Sequence, residues 1–345
     1  MQRITVVGLG LVGGSIGLGL RRWSRSQERD GEAPLEVIGF DTNLDHQHHA
    51  KKIGAVDHTE WKLGNAISKA DIVVVATPVA AMEEIFADIA PLLKSGAVVT
   101  DVGSTKADVL RWADRLLPES VSFVGGHPMA GKAQSIEAAE AELFRGATWC
   151  VCPSIHAGED GIRNILGIIA ALGGDPFFID PSEHDAYVAG VSHLPFIVSA
   201  AVMNAVAGDA SWRDMRALTA TGFRDITRLA AGSAEMHRDI VVTNRDAIQR
   251  WVGAMIGELE QLRIDMAAED AAERLTRYFT AARDARADWS TQSRNDGELL
   301  QETQDELSSG VSGQMSRLFL GGFANRRRSL SPRTTEQEER PRPRR

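Results

Sequence analysis

The chain has 345 residues, 43% of them hydrophobic and 25% charged, with a net charge of −9. That length accommodates two domains with a core each, and an acidic body has no general attraction to nucleic acid. No run approaches the ~18 apolar residues of a membrane span, and the N-terminus enters a strand pattern directly. Neither a membrane segment nor a secretory signal is therefore expected, and the cytoplasm is the default compartment.

Over the first 180 or so residues, short apolar runs alternate with segments of helical spacing. "RITVVG", "LEVIGFD", "DIVVVAT", "GAVVTDV", "VSFVG", "ATWCVC" and "PFFID" read as strands; "VAAMEEIFADIAPLL" and "KADVLRWADRLL" read as helices between them. Near-continuous Val/Ile strands separated by helices predict a parallel sheet covered on both faces, a Rossmann-type doubly wound α/β domain over residues 1–181. The polar stretch Ser24–Pro34 reads as a surface insertion between the first helix and second strand. Cys150 and Cys152 alternate along one strand, so both thiols face the same side; their spacing fits neither a zinc knuckle nor a redox pair.

The first strand runs into "VVGLGLVGGS", with Gly8, Gly10 and Gly13 in the GxGxxG pattern. The first glycine permits the tight turn, the second lets backbone approach a pyrophosphate, and the third lets helix pack on strand. Amides of Leu11 and Val12, in the opening helical turn, are then free for the anion. Asp41 ends the second strand, 28 residues after Gly13 instead of the usual ~20, the polar insertion accounting for the excess. A carboxylate there accepts from ribose hydroxyls and repels a 2′-phosphate, so NAD is favoured over NADP. Thr77, Pro78, Ser104 and His127 are each expected just after a strand end, on the rim where such sheets bind ligands. In "FVGGHPMAGK" the strand is expected to run out before His127. The run Asp45–His49, with three histidines, reads as a solvated surface, and no metal site is expected.

From Ser182 the strands give way to helical text, predicting a helical substrate and dimerisation domain over residues 182–290. Several of these helices are apolar over more surface than one layer would cover, which predicts a homodimer. Polar groups within them are His184, His193, Asp225 and Arg228. His184 and His193 are nine residues apart, so one unbroken helix would turn them to opposite sides. Residues 291–345 read as a disordered basic tail, with eight Arg against three Glu from Arg326 onward. Before it, "LFLGGF" beside "NRRRSLSPR" is a candidate docking segment.

With "GLGLVGGSIG", "DVGSTK", "GGHPMAG", "SEHDAYVAGVSHLP" and "GFRDITRLAAGSAEMHRDI" in this order, the sequence resembles the prephenate/arogenate dehydrogenase family of tyrosine biosynthesis. The resemblance implies an oxidoreductase that decarboxylates prephenate to 4-hydroxyphenylpyruvate with NAD as hydride acceptor. It implies His127 as the group that accepts the substrate hydroxyl's proton, with Ser104 bonded to that hydroxyl or to His127. It implies Arg228 as a carboxylate fork, with His193 shaping the substrate site, Asp225 orienting its basic neighbours, and His184 and His237 in the same pocket. The chain departs from the family pattern at Phe196, where some relatives have His, at Lys132–Ala133, where some have Thr-Glu, and at His237, where many have Trp. These positions leave arogenate open as the alternative substrate. A β-hydroxyacid-type dehydrogenase would need a catalytic lysine in the helical half, and there is no Lys between Ser182 and Ser290. A non-catalytic NAD-sensing scaffold would have no use for Ser104, His127 and Arg228 together.

Overall fold

A computed structural model describes residues 2–29, 34–131 and 135–290, and the chain divides into two compact units, Met1–Leu275 and Thr276–Arg345. In the second unit the described residues, 276–290, are helical. Lys132–Ala133, the basic tail and its candidate docking segment lie outside the described residues.

Eight strands form one sheet: β1 (Gln2–Val7), β2 (Leu35–Phe40), β3 (His58–Thr59), β4 (Ile72–Val75), β5 (Val98–Asp101), β6 (Ser122–Pro128), β7 (Thr148–Pro153) and β8 (Asp175–Phe178). Their order is β3-β2-β1-β4-β5-β6-β7-β8. Parallel pairing aligns Val7 with both Phe40 and Val75, Val75 with Asp101, and Thr100 with Val124. The carboxyl ends of β1, β2, β4 and β5 therefore share one rim. Chain order reverses between β1 and β4, which makes the rim there the switch-point crevice of the fold.

Side-chain alternation explains why the strands are apolar throughout. Ile4, Val6, Ile72 and Val74 meet Ile16 and Leu20 of α1 (Leu11–Arg29) on one face, while Val7, Val73, Val75 and Val99 meet the other layer. α2 (Leu44–Lys52) adds Ala50 to the first face, and the second layer is made by Ile67 of α3 (Leu63–Ile67), Met82, Phe86 and Ile89 of α4 (Met82–Ile89) and Val109, Leu110 and Ala113 of α5 (Ala107–Leu116). Ile165, Ile168 and Ile169 of α6 (Glu159–Ala171) complete the first face. Each such aliphatic side chain removed from water contributes about 1.5–3 kcal/mol, so both sheet faces must be covered.

Three details differ from the sequence reading. The strand around His127 does not stop before it: β6 runs through Pro128, and beyond Val124 it pairs with β7 alone. β7 is antiparallel to β6, with His127 opposite Cys150; the connection between them needs no crossover helix, so antiparallel pairing is available to it. Most of the supposed insertion at Ser24 is the last turn of α1, where buried Ser24 accepts a hydrogen bond from Leu35 N at 3.1 Å.

The helical half starts at α7 (Pro181–Val188), where Asp180 caps Ser182 N and Glu183 N and Pro181 occupies the first turn. A π turn, Ala189–His193, carries the helix on into α8 (Leu194–Ala207). Gly190 admits this crossing, since a β-carbon there would sit 2.7 Å from the Trp251 ring. α9 (Trp212–Met215), α10 (Thr221–Thr227), α11 (Ala234–Thr243) and α12 (Arg245–Met266) follow. A small core of Ala189, Phe196, Ile240 and Ile248 joins the π turn, α8, α11 and α12. The continuous 27-residue stretch Pro181–Ala207 is, among the described residues, long and apolar enough to cross a membrane, contrary to the sequence expectation. It nevertheless carries buried His184, Asp185 and His193, packed into the protein.

One buried ion pair organises the rim. Lys106 Nζ bonds Asp101, both fully buried, and Asp101 also accepts from Gly103 N at 2.7 Å and Gly126 N at 3.2 Å. The carboxylate thereby ties the loop after β5 to β6 one residue before His127. Lys106→Met leaves that charge without its cation, which should cost about 3–5 kcal/mol; a urea midpoint equal to wild type would contradict the pair's role.

Candidate active site

The glycine loop fills the switch-point crevice. Gly8 has φ +92°, and a β-carbon there would lie 2.4 Å from Ala76 O; at Gly13 it would lie 1.9 Å from Gly8 O. At Gly10 it would meet nothing within 4 Å. The protein itself thus explains the absence of side chains at Gly8 and Gly13, whereas at Gly10 the space is left for something else. Leu11, Val12 and Gly13 form the first turn of α1, where backbone N–H groups have no intrahelical acceptor. Asp41 is held beside this loop by Leu9 N at 2.6 Å and Asn43 N at 2.7 Å, with the His46 ring at 3.3 Å. Thr77 follows β4 with its hydroxyl oxygen buried and unpartnered, and Pro78 beside it is exposed. An anion cradle, a strand-end carboxylate and an orphaned hydroxyl fit a dinucleotide.

Next along the rim, at β5 and β6, lies a buried polar cluster. His127 Nδ1 is 2.9 Å from His184 Nε2, and His184 Nδ1 is 2.8 Å from Asp185 Oδ1. Asp185 Oδ1 and Oδ2 also accept from Lys106 N (2.8 Å) and Ala107 N (2.9 Å). Asn244 donates through Nδ2 to Asp185 O (2.8 Å) and to His193 Nδ1 (3.2 Å). His193 Nδ1 is therefore the acceptor, and its proton sits on the buried Nε2, which faces the Ser104 backbone without completing a well-formed hydrogen bond. Ser104, in the loop after β5, has its backbone against His193; its hydroxyl makes no hydrogen bond to another described residue.

His184 and His193 consequently lie on the same side of their helix, against the sequence expectation. Nine α steps leave two residues about 180° apart, but a π turn absorbs one residue and brings them to about 80°. Both ring nitrogens of His184, which is 1% exposed, are taken by His127 and Asp185. It backs His127 and has no nitrogen left for a substrate.

Other sequence candidates are placed less directly. Arg228 and Asp225 are exposed and make no side-chain hydrogen bond or ion pair among the described residues. They belong to α10 and the turn after it, which pack on α8, Ala230 N donating to Ser199 Oγ at 2.9 Å. Among the described residues no hydrogen bond or ion pair links either to His127. The His237 ring stacks on Phe196 with centroids 4.2 Å apart, and Phe196 in turn tilts against His193.

Burial pulls the His127 ring well below the ordinary histidine value, reinforced by the positive charge available at His184, Lys106 and His193. His193 is pulled down to about 4, again chiefly by burial, with the Asp185 carboxylate opposing. A general base works best when poised near the working pH; the free protein instead holds a firmly neutral imidazole.

Residues 25–176 match the family model of the prephenate dehydrogenase nucleotide-binding domain, and residues 180–281 that of its dimerization domain. Prephenate dehydrogenase of Bacillus subtilis (strain 168) is 34% identical over 289 residues, 82% of this chain and 75% of that one. The chain belongs to the prephenate dehydrogenase family. Among solved structures, prephenate dehydrogenase of A. aeolicus in complex with hydroxyphenyl propionate and NAD+ superposes with a TM-score of 0.75 at 27% identity, covering 84% of this chain and 98% of that one. Synechocystis arogenate dehydrogenase superposes at 0.68 with 29% identity, covering 84% and 100%. The nucleotide-binding match begins after the glycine loop, so the loop's role rests on its geometry.

Sequence reasoning passed over Lys106, Asp185 and Asn244 as site residues. Lys106 and Asp185 lie inside "DVGSTK" and "SEHDAY", so the motifs held the signal; Asn244 has none. The depressed histidines also make a prediction. Between about pH 6.5 and pH 4 the unfolded chain binds protons that the folded His127 and His193 refuse, so stability falls as pH drops through that window. For His193 alone the full loss is roughly 3 kcal/mol. Thermal melts should decline from about pH 6.5, above the range in which carboxylates titrate; a melting temperature flat down to pH 5 would contradict the burial of neutral rings.

Proposed function

We propose that the protein catalyses the oxidative decarboxylation of prephenate to 4-hydroxyphenylpyruvate, with NAD as hydride acceptor, in tyrosine biosynthesis. The observation that carries this reading is His127: an imidazole with Nδ1 committed to His184, Nε2 unbonded, on the rim that the glycine loop also occupies. Residues 1–181 would hold the dinucleotide and residues 182–290 the substrate and a second subunit. Apolar side chains such as Val191, Ile256 and Leu259 are exposed in a single chain, which supports a homodimer. The free, buried Cys150 and Cys152 accord with a reducing cytoplasm.

The loop Gly8–Gly13 with the first turn of α1 would hold the pyrophosphate, Asp41 the adenosine ribose, and Thr77 and Pro78 the nicotinamide side. When bound, NAD supplies the acceptor for the hydride from the carbinol carbon. His127 accepts the proton of the hydroxyl on that carbon, the O–H bond giving way to an Nε2–H bond, and Ser104 orients the same hydroxyl. Carbon dioxide leaves as the ring becomes aromatic. His193 presents its unpartnered Nε2–H as a donor to the substrate. Arg228 has an exposed guanidinium with no carboxylate on it among the described residues, and grips a substrate carboxylate in a fork; Asp225 lies on the preceding turn to orient it. The Phe196–His237 stack forms the wall at the substrate's side chain.

Arogenate differs from prephenate by an ammonium in place of a ketone, and a buried ammonium wants a carboxylate. The two buried carboxylates of the cluster, Asp101 and Asp185, are both fully committed to other donors, which favours prephenate. Purified protein given prephenate or arogenate with NAD or NADP should reduce NAD fastest with prephenate. His127→Asn should lower turnover by about 10²–10⁴ with little change in substrate KM. Equal rates with both substrates would remove the preference, and near-normal turnover in the variant would remove the base.

A further inference from the structure

Proton positions within the buried cluster follow from its one acceptor-only member. Asp185 takes two backbone N–H groups, from Lys106 and Ala107, as an ionised carboxylate does. A carboxylate cannot donate, so the 2.8 Å contact with His184 requires the proton to be on His184 Nδ1. With that single ring proton on Nδ1, His184 has a bare lone pair on Nε2. The 2.9 Å contact with His127 in turn requires His127 Nδ1 to donate. His127 is left with its lone pair on Nε2.

We propose that Asp185 and His184 are positioning residues that lock His127 into the tautomer whose Nε2 is the acceptor. The inference rests on the assignment of His127 as the proton acceptor and deepens it. In the opposite tautomer Nε2 would carry hydrogen and could take no proton from the substrate hydroxyl. When Nε2 does take that proton, the hydroxyl's O–H bond breaks with its electron pair kept by oxygen. The new imidazolium remains joined through one neutral ring to a carboxylate. Lys106 and His193 face the same rings and oppose added positive charge, so the Asp185 charge is the local counterweight. The logic parallels the orienting aspartate of a serine-protease triad, with a second imidazole inserted.

Asp185→Asn is the direct test. Oδ1 accepts from both Lys106 N and His184, and Oδ2 from Ala107 N. With the amide nitrogen in the Oδ1 place it would donate to His184 Nδ1, moving the His184 proton to Nε2 and the His127 proton to Nε2 as well, and the nitrogen spectrum below reads whether it does. In the NAD-loaded enzyme the variant should lose about 10²–10⁴ in kcat, the range for an absent general base, while the KM for prephenate stays near wild type. Nitrogen NMR of ¹⁵N-histidine-labelled protein reads the tautomer itself, the His127 signals being identified by their absence from His127→Asn. Wild-type His127 should show a protonated Nδ1 and a bare Nε2, and Asp185→Asn the reverse. The wild-type spectrum decides the matter even if the variant does not fold. A wild-type His127 protonated on Nε2 would overturn the inference. So would wild-type kcat in an Asp185→Asn enzyme whose His127 is protonated on Nε2, while His127→Asn is inactive. Full turnover in His127→Asn would overturn the base assignment beneath it.

Discussion

Asp185 accepts hydrogen bonds from the Lys106 and Ala107 amides and from the His184 ring, and its own carbonyl accepts from Asn244. Lys106 opens α5 with no side-chain cap of its own, so the carboxylate caps that helix from across the molecule. One residue of α7 thus joins the sheet half, through α5, to the start of α12. Bonds to an ionised group contribute about 1.5–3 kcal/mol each, against the several kcal/mol needed to bury the charge. The stability gained is modest; the geometric consequence is larger. With α7 fixed against α5, His184 has one place to be, and His127 on β6 has one partner to meet.

A second constraint acts on the same helix. Without the π turn at Ala189–His193, His193 would point away from the cluster that His184 enters. The turn rotates it back, where Asn244 holds its Nδ1 and Nε2–H is turned toward the Ser104 backbone. The site then presents two imidazoles of opposite character, His127 offering a lone pair and His193 offering a proton. Burial keeps both neutral, so neither role depends on a titration near physiological pH. Isolated π turns inside α-helices recur at functional sites for this reason: they re-aim side chains without ending the helix.

Much of this was legible in the sequence. Four-residue runs such as Ile72–Val75 have few alternatives to a doubly covered parallel strand, and a glycine triplet between strand and helix specifies its own turn. The rim positions of Asp41, Thr77 and Ser104 followed from where those strands end. What escaped was set by tertiary contact. The extension of β6 past His127 depends on pairing with β7, whose antiparallel direction no local pattern encodes. The π turn depends on Gly190 meeting Trp251, far along the chain. Lys106 stands at a helix start, where a lysine is ordinarily solvated, yet the Asp101 carboxylate draws it fully inside. Asn244, between two helices, acquires its role only because Asp185 and His193 converge on it.

The central claim is spatial: the imidazole of His127 meets the substrate hydroxyl where the dinucleotide's reactive ring lies. A crystal structure of the protein with NAD and a phenol-bearing product analogue tests it directly. The account predicts the phenol oxygen about 2.6–3.2 Å from His127 Nε2, with the analogue's carboxylate toward Arg228. An analogue bound with its hydroxyl on the order of 10 Å from His127, well outside hydrogen-bond reach, would contradict it.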